Sequence, residues 1–291
     1  MRDRDAPIGV FDSGLGGLTV VRQIRTFLPA EPVLYVADQA HVPYGGRPLV
    51  EVRQFALGIS RALYAAGCKA IVMACNISSA TALDTVRQEY PDMPVLGVIG
   101  PGVRVAVRCT RNRRIGVLAT EGTVRSQAYR RALQACNPDL EVVEVACPAF
   151  VPLVEAGALD TPETVQAAVQ YLSPLCMAGV DTVILGCTHY PFLLPVLQRI
   201  APQLTFVDPA RATVERLLHA LLQRRLHAPL RTQADLLVTT GNPDAFRRQT
   251  ALFFPDGDWQ IASACWSSDG TLTLPERSSF GTPCPLLCPP F

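Results

Sequence analysis

Eight short apolar runs, rich in β-branched residues, punctuate the chain: IGVFD (8–12), VLYVAD (33–38), AIVMAC (70–75), VLGVI (95–99), RIGVLAT (114–120), LEVVEVA (140–146), TVILGC (182–187) and LTFVD (204–208). They read as continuous apolar stretches rather than strict alternations, the pattern of strands buried on both faces of a sheet. Between them lie segments with apolar residues at helical spacing, among them 50–67, 123–136 and 161–179. Strand–helix alternation along the whole chain predicts an α/β fold of parallel sheets covered by helices.

The pattern repeats within the chain. AGCKAIVMACN (66–76) matches AGVDTVILGCT (178–188), an Ala-Gly pair followed by an apolar strand that ends in cysteine. Upstream, IGVFDS (8–13) pairs with IGVLAT (115–120). Ile8 precedes Cys75 by 67 residues and Ile115 precedes Cys187 by 72, so both landmarks recur in order at similar spacing. A duplicated unit follows: two pseudo-symmetric parallel-sheet α/β domains facing one central cleft. The expected division is a discontinuous first domain, 1–98 plus 209–256, and a second domain, 99–208. Helix 210–226 returns to the first domain, and 236–254 adds a strand, a turn and a helix. From 257 to 291 the chain becomes rich in Ser, Pro and Gly and is expected to be loosely ordered.

Composition narrows the setting. With 291 residues, 49% hydrophobic, the chain can bury two cores of ordinary size. Charged residues make up 18% and net charge is +1, which points to neither a nucleic-acid partner nor a membrane surface. No apolar run reaches the length of about 18 residues expected of a membrane-spanning helix, and the charged start MRDRDAPIGVFDSG, which runs directly into a short strand, is not expected to act as a signal peptide. Ten cysteines are too dilute for a disulfide scaffold and include no CxxC pair, so reduced thiols and a cytoplasmic location are expected.

Ligands bind beyond the carboxyl ends of strands in open parallel sheets, and Cys75 and Cys187 fall at such ends. Each alone reads as a small buried apolar residue, a metal ligand, a redox thiol or an acid/base. As a repeated pair across one cleft, they fit a specific chemistry. A thiolate removes a proton from one face of a carbon and a thiol delivers one to the other, inverting the centre. A thiol of ordinary pKa, about 8.5, needs local positive potential to ionise, and helix starts follow both cysteines. No ligand pair has the spacing of a structural zinc site, so no metal is expected. Asp12 and Ser13 end the first strand, and the following Gly14, Gly16 and Gly17 offer backbone amides to an anion such as a carboxylate. Asn76, Thr188 and His189 flank the thiols; His189 is placed to tune Cys187, and Asp12 to tune Cys75 or hold an ammonium.

These residues sit in a set of motifs that resembles the glutamate racemases of the aspartate/glutamate racemase family: IGVFDSGLGGLTV (8–20), YVADQAHVPYGGRP (35–48), MACNISSA (73–80), LATEGTVRSQAY (118–129), FVPLVEAG (150–157) and GCTHYPFL (186–193). The resemblance spans roughly residues 7 to 254. It implies a cofactor-independent interconversion of L- and D-glutamate in the bacterial cytoplasm, supplying D-glutamate for peptidoglycan, by an enzyme that is commonly a homodimer. It assigns Cys75 to the D-enantiomer and Cys187 to the L-enantiomer, with Asp12, His189 and Glu155 assisting. It assigns substrate contacts to Asp12, Ser13, Tyr44, Gly45, Asn76, Thr123, Thr188 and His189. One position departs from the pattern: Ile77 stands where the family has a threonine that helps hold the substrate carboxylate. The exchange keeps the backbone N–H, removes a hydroxyl and adds bulk. Ile77 therefore leaves open a racemase for aspartate or another amino acid, and a catalytically silent binding protein is the alternative outside enzyme chemistry.

Overall fold

The computed structural model of the protein describes residues 3–255, 257 and 259–275. Its strands are β1 (Ile8–Asp12), β2 (Val33–Ala37), β3 (Ala70–Met73), β4 (Val95–Gly97), β5 (Arg114–Ala119), β6 (Glu141–Ala146), β7 (Thr182–Gly186), β8 (Thr205–Val207), β9 (Leu236–Thr239), β10 (Gln260–Ser263), β11 (Cys265–Trp266) and β12 (Leu272–Thr273). Two sheets, parallel throughout, carry the α/β fold. One has the order β10-β9-β2-β1-β3-β4 and the other β6-β5-β7-β8. The central strands β1, β2, β3 and β7 are buried at every position, as their unbroken apolar runs require.

The internal repeat is present as a repeated topology. Strands β2-β1-β3-β4 correspond one for one to β6-β5-β7-β8. The register agrees too, with Ile8 opposite Ala70 in the first sheet and Ile115 opposite Thr182 in the second. The repeated Ala-Gly pairs close equivalent helices. Gly67 and Gly179 adopt φ of +80° and +66°, a left-handed turn that glycine enters without a Cβ penalty. In the first unit, Cys68 N–H donates to Leu63 C=O and Gly67 N–H to Tyr64 C=O; in the second, Val180 donates to Leu175 and Gly179 to Cys176. Each turn satisfies the helix's last carbonyls and aims the chain into the strand that ends at a cysteine.

Long-range packing closes the first unit. Helix Pro209–Gln223 places Ala210, Val214, Leu217 and Leu221 in the same core as Val10, Val20 and Ile24. Lys69, the chain's single lysine, is fully buried, forms an ion pair with the equally buried Glu31, and donates to the Arg4 carbonyl. Glu31 also accepts the Ala228 amide at 2.9 Å. Such a buried pair is tolerable only because further polar groups complete its shell.

Three local expectations are corrected. The fourth strand stops at Gly97, because Ile99 already begins helix Ile99–Cys109. The helix expected over 123–136 is two, Glu121–Ser126 and Ala128–Cys136, broken at Gln127 with φ of 52°. There the Ser126 hydroxyl donates to the Thr123 carbonyl at 2.6 Å, a local bond that competes with helix continuation. The stretch expected to be loose from 257 onward contributes β10 to the edge of the first sheet and the antiparallel pair β11–β12. Ala264 and Leu272 are buried against helix Leu49–Ala65 and its strands, which supplies the apolar anchor that composition hid. Residues 276–291 of the expected tail lie outside the described residues.

Candidate active site

Both sheets point the carboxyl ends of their strands at one cavity of about 450 Å³. Every residue assigned above to catalysis or substrate contact lines it: Asp12, Ser13, Tyr44, Gly45, Cys75, Asn76, Ile77, Thr123, Glu155, Cys187, Thr188 and His189; of the glycine-rich turn, Gly14 does and Gly16 and Gly17 do not. Cys75 and Cys187 occupy equivalent places, each five residues beyond the paired positions Ala70 and Thr182.

Different groups surround the two thiols. Cys75 is itself the N-cap of helix Asn76–Glu89, so its sulfur stands at a full-length helix N-terminus. Cys187 does not have this arrangement. A 3₁₀ turn, Tyr190–Leu193, follows it, and the next regular helix begins only at Leu194. Pro191 and Pro195 lack the N–H groups a continuous helix would use. Local positive potential comes instead from His189, whose Nδ1 lies 3.8 Å from the Cys187 sulfur. The ring's Nε2 lies 2.8 Å from Glu155 Oε1, and Glu155 is held on its other oxygen by Gln249 Nε2 at 3.3 Å.

Electrostatics separates the two sides. Burial pushes the Cys75 thiol up, the Asp12 carboxylate adds to the effect, and Ser78 only partly opposes it, leaving the thiol at about 12 and neutral. Burial alone would depress His189. The hydrogen bonds to Cys187 and Glu155 and the nearby negative charges outweigh it and raise the imidazole to about 10. Near neutral pH the cleft thus holds an imidazolium beside Cys187 and an uncharged thiol at Cys75.

The glycine-rich turn after β1 works differently from the expectation of an open anion cradle. Gly17 N–H donates to Asp12 Oδ2 at 2.9 Å and Gly14 N–H at 3.4 Å, so the loop's amides hold the protein's own carboxylate. The Thr188 hydroxyl reaches the same carboxylate at 3.3 and 3.4 Å. The turn must also pass close to the second unit. A Cβ on Gly16 would lie 2.4 Å from Thr188 Oγ1 and 2.6 Å from His189 Nδ1, so only glycine fits.

Ile77 is buried with Tyr44, Val52 and Cys75 in a small apolar cluster at the cleft wall. Its Cδ1 would be 2.3 Å from a Cβ placed on Gly122, so it spans to the other unit. Asn76 is oriented by Tyr129, whose hydroxyl donates to Asn76 Oδ1 at 2.7 Å. Thr123 shares a 3.1 Å hydrogen bond with Thr120.

Several residues of the site and its supports escape sequence reasoning. Cys147 is fully buried yet borders the cavity; its thiol is pushed up by burial. Its position just after β6 was the available signal, since it too follows a strand end. Gln249 and Tyr129 act through contacts 94 and 53 residues distant, which no local pattern reveals. Among the described residues, no group of three or more His, Cys, Asp or Glu side chains is arranged to hold a metal ion. Also among them, no helix is long and apolar enough to cross a membrane.

Comparison with known proteins bears on this geometry. A family model described as Asp/Glu/Hydantoin racemase matches residues 8–217. The glutamate racemase of Microcystis aeruginosa is 44% identical over 247 residues, 84% of this chain and 86% of its own. That of Desulforudis audaxviator is 43% identical over 266 residues, 89% and 97% of the two chains. The crystal structure of a glutamate racemase isoform from Bacillus anthracis superposes with a TM-score of 0.84 at 35% identity, covering 90% of this chain and 98% of that one. A Francisella tularensis glutamate racemase in complex with D-glutamate gives 0.84 at 32% identity, covering 89% and 97%.

Proposed function

The chain belongs to the Asp/Glu/Hydantoin racemase family and is an isomerase, and from that premise we propose that it interconverts L- and D-glutamate with two thiols and no cofactor. One observation carries the reading: two cysteines from equivalent strand ends of a duplicated unit open onto one cleft. The identity of 43–44% to glutamate racemases supports glutamate as the substrate.

In the L-to-D direction, the Cys187 thiolate, paired with the His189 imidazolium, takes the α-proton from one face. The Cys75 thiol then gives its proton to the opposite face. Cys187 ends as the thiol and Cys75 as the thiolate, and the D-to-L direction runs the same steps backward. Cys75 must ionise when the D-enantiomer is bound. Its helix N-terminus favours that, and the substrate ammonium beside Asp12 cancels the charge that otherwise opposes it. The α-carbanion is stabilised by fixed donors rather than by a prosthetic group. Asn76, held by Tyr129, and the backbone amides of the Cys75 helix serve the substrate carboxylate. Ser13, Tyr44, Gly45, Thr123 and Thr188 complete the substrate's contacts, and Glu155 orients His189.

On this reading the enzyme acts in the cytoplasm as a homodimer and supplies D-glutamate for peptidoglycan. The test is proton NMR of the protein with L-glutamate in D₂O, with circular dichroism read on the same sample and no cofactor added. Loss of the α-proton signal together with optical activity is the expected result. Exchange with aspartate but not glutamate would move the substrate, as Ile77 allows. Exchange with neither would remove the enzymatic reading.

A further inference from the structure

The hairpin β11–β12 lies outside the cleft, yet one of its side chains is wired to it. Trp266 Nε1–H donates to Asp38 Oδ1 at 2.7 Å. Asp38 is fully buried, and its carboxylate gathers three further partners: the Thr240 hydroxyl at 2.8 Å on Oδ1, and the Tyr44 hydroxyl at 2.6 Å and His41 Nδ1 at 2.8 Å on Oδ2. A carboxylate offers about four lone-pair sites, so the set is complete. Its backbone N–H donates to Asp12 C=O at 3.0 Å, fastening the hub to the strand that carries Asp12. Tyr44 is the cleft-facing end of this network, packed in one cluster with Cys75 and Ile77.

Ring packing reinforces the wiring. Trp266 meets His41 edge-on at 5.4 Å and Phe55 at 6.1 Å, while His41 stacks on Phe55 at 3.9 Å and Tyr44 leans on Phe55 at 5.7 Å. The indole rests in a notch of helix Leu49–Ala65 made by Gly58, where an added Cβ would lie 2.7 Å from two ring carbons. The indole thus touches the segment bearing Tyr44 from two sides: by its N–H through Asp38, and by its ring through His41 and Phe55.

We propose that Trp266 is a positioning residue: through Asp38 it holds Tyr44 in place on the Cys75 side of the cleft. The inference rests on the reading of this cleft as a two-thiol racemase site. Its consequence is one-sided. Loosening Tyr44 disturbs the proton transfer at Cys75 more than the transfer at Cys187. Because enantiomers are equal in energy, kcat/KM must remain equal in the two directions, and the asymmetry surfaces instead in isotope effects.

Trp266→Phe keeps the aromatic face and removes the donor. Gly58→Ala displaces the indole while leaving Asp38 and the cleft residues unchanged. In both, kcat/KM for glutamate is expected to fall roughly threefold to tenfold, less than the roughly tenfold or more of losing a hydrogen bond made directly to a charged group, because Trp266 reaches the cleft only through Asp38 and Tyr44. The α-deuterium isotope effect on kcat/KM should rise with D-glutamate and fall with L-glutamate. In a Tyr44→Phe background, Trp266→Phe should add less than it does alone. A drop in kcat with unchanged KM and unchanged isotope effects would mean a merely structural residue and overturn the proposal, as would full additivity with Tyr44→Phe. If the wild-type protein does not racemise glutamate, the functional reading fails and the wiring is still decided by amide hydrogen exchange. Faster exchange over residues 39–48 in Trp266→Phe supports it, and unchanged exchange overturns it.

Discussion

At Cys75 and Cys187 the same side chain is placed in two electrostatic settings, and each predicts its own failure. Cys75→Ala and Cys187→Ala are both expected to abolish racemisation, measured by optical rotation, because a proton must be taken and returned on opposite faces. Racemisation near the wild-type rate in either variant would end the two-thiol mechanism. In the proposed substrate pose Ile77→Thr supplies a hydroxyl for the substrate carboxylate, so KM for glutamate should fall by about tenfold or more, the worth of one hydrogen bond to a charged group. No gain in kcat/KM would remove Ile77 as the limiting residue. His189 gives a pH prediction whose sign follows from its upward shift. Between its ordinary 6.5 and about 10, the folded protein binds a proton that the unfolded chain has released. That stabilisation is complete below 6.5 and is lost as pH rises through 10. Urea unfolding from pH 6 to 10 should therefore show falling stability in the wild type and a flatter profile in His189→Gln.

The elements show which parts of the fold a sequence exposes. The buried strands were legible because continuous Val/Ile/Leu runs leave little choice of environment, and the Ala-Gly-strand-Cys repeat was legible because the same turn must be made twice. That turn yields a clean test. A methyl group on Gly67 meets no atom within 4 Å, so Gly67→Ala is opposed only by its positive φ. The expected cost is about 1–2 kcal/mol in urea unfolding with kcat unchanged. What stayed hidden depends on distant partners. Gln127 breaks a helix whose local pattern is continuous, and the amides of the Gly-rich turn look free until Asp12 folds back onto them. The hairpin at 265–273 is short and polar, and only its contact with helix Leu49–Ala65 makes it an element.

Across the whole molecule, the duplication is faithful in topology and broken in chemistry. Both units wind their strands in the same order, but the first sheet is widened by β9 and β10, and only the second thiol has a histidine beside it. The candidate site was legible because its residues cluster at strand ends and in motifs. The supports that aim them, Gln249, Tyr129 and Trp266, come from far along the chain and needed the assembled fold. The sealed Lys69 has a consequence for reagents rather than for catalysis. With a single lysine, lodged between Glu31 and the Arg4 carbonyl and fully shielded from solvent, the folded protein presents no side-chain amine to an acylating ester. Modification of Lys69, followed by mass spectrometry of the peptide that carries it, should be negligible under native conditions and should rise in step with unfolding as urea is added. The position then serves as a built-in chemical clock for opening of the first unit.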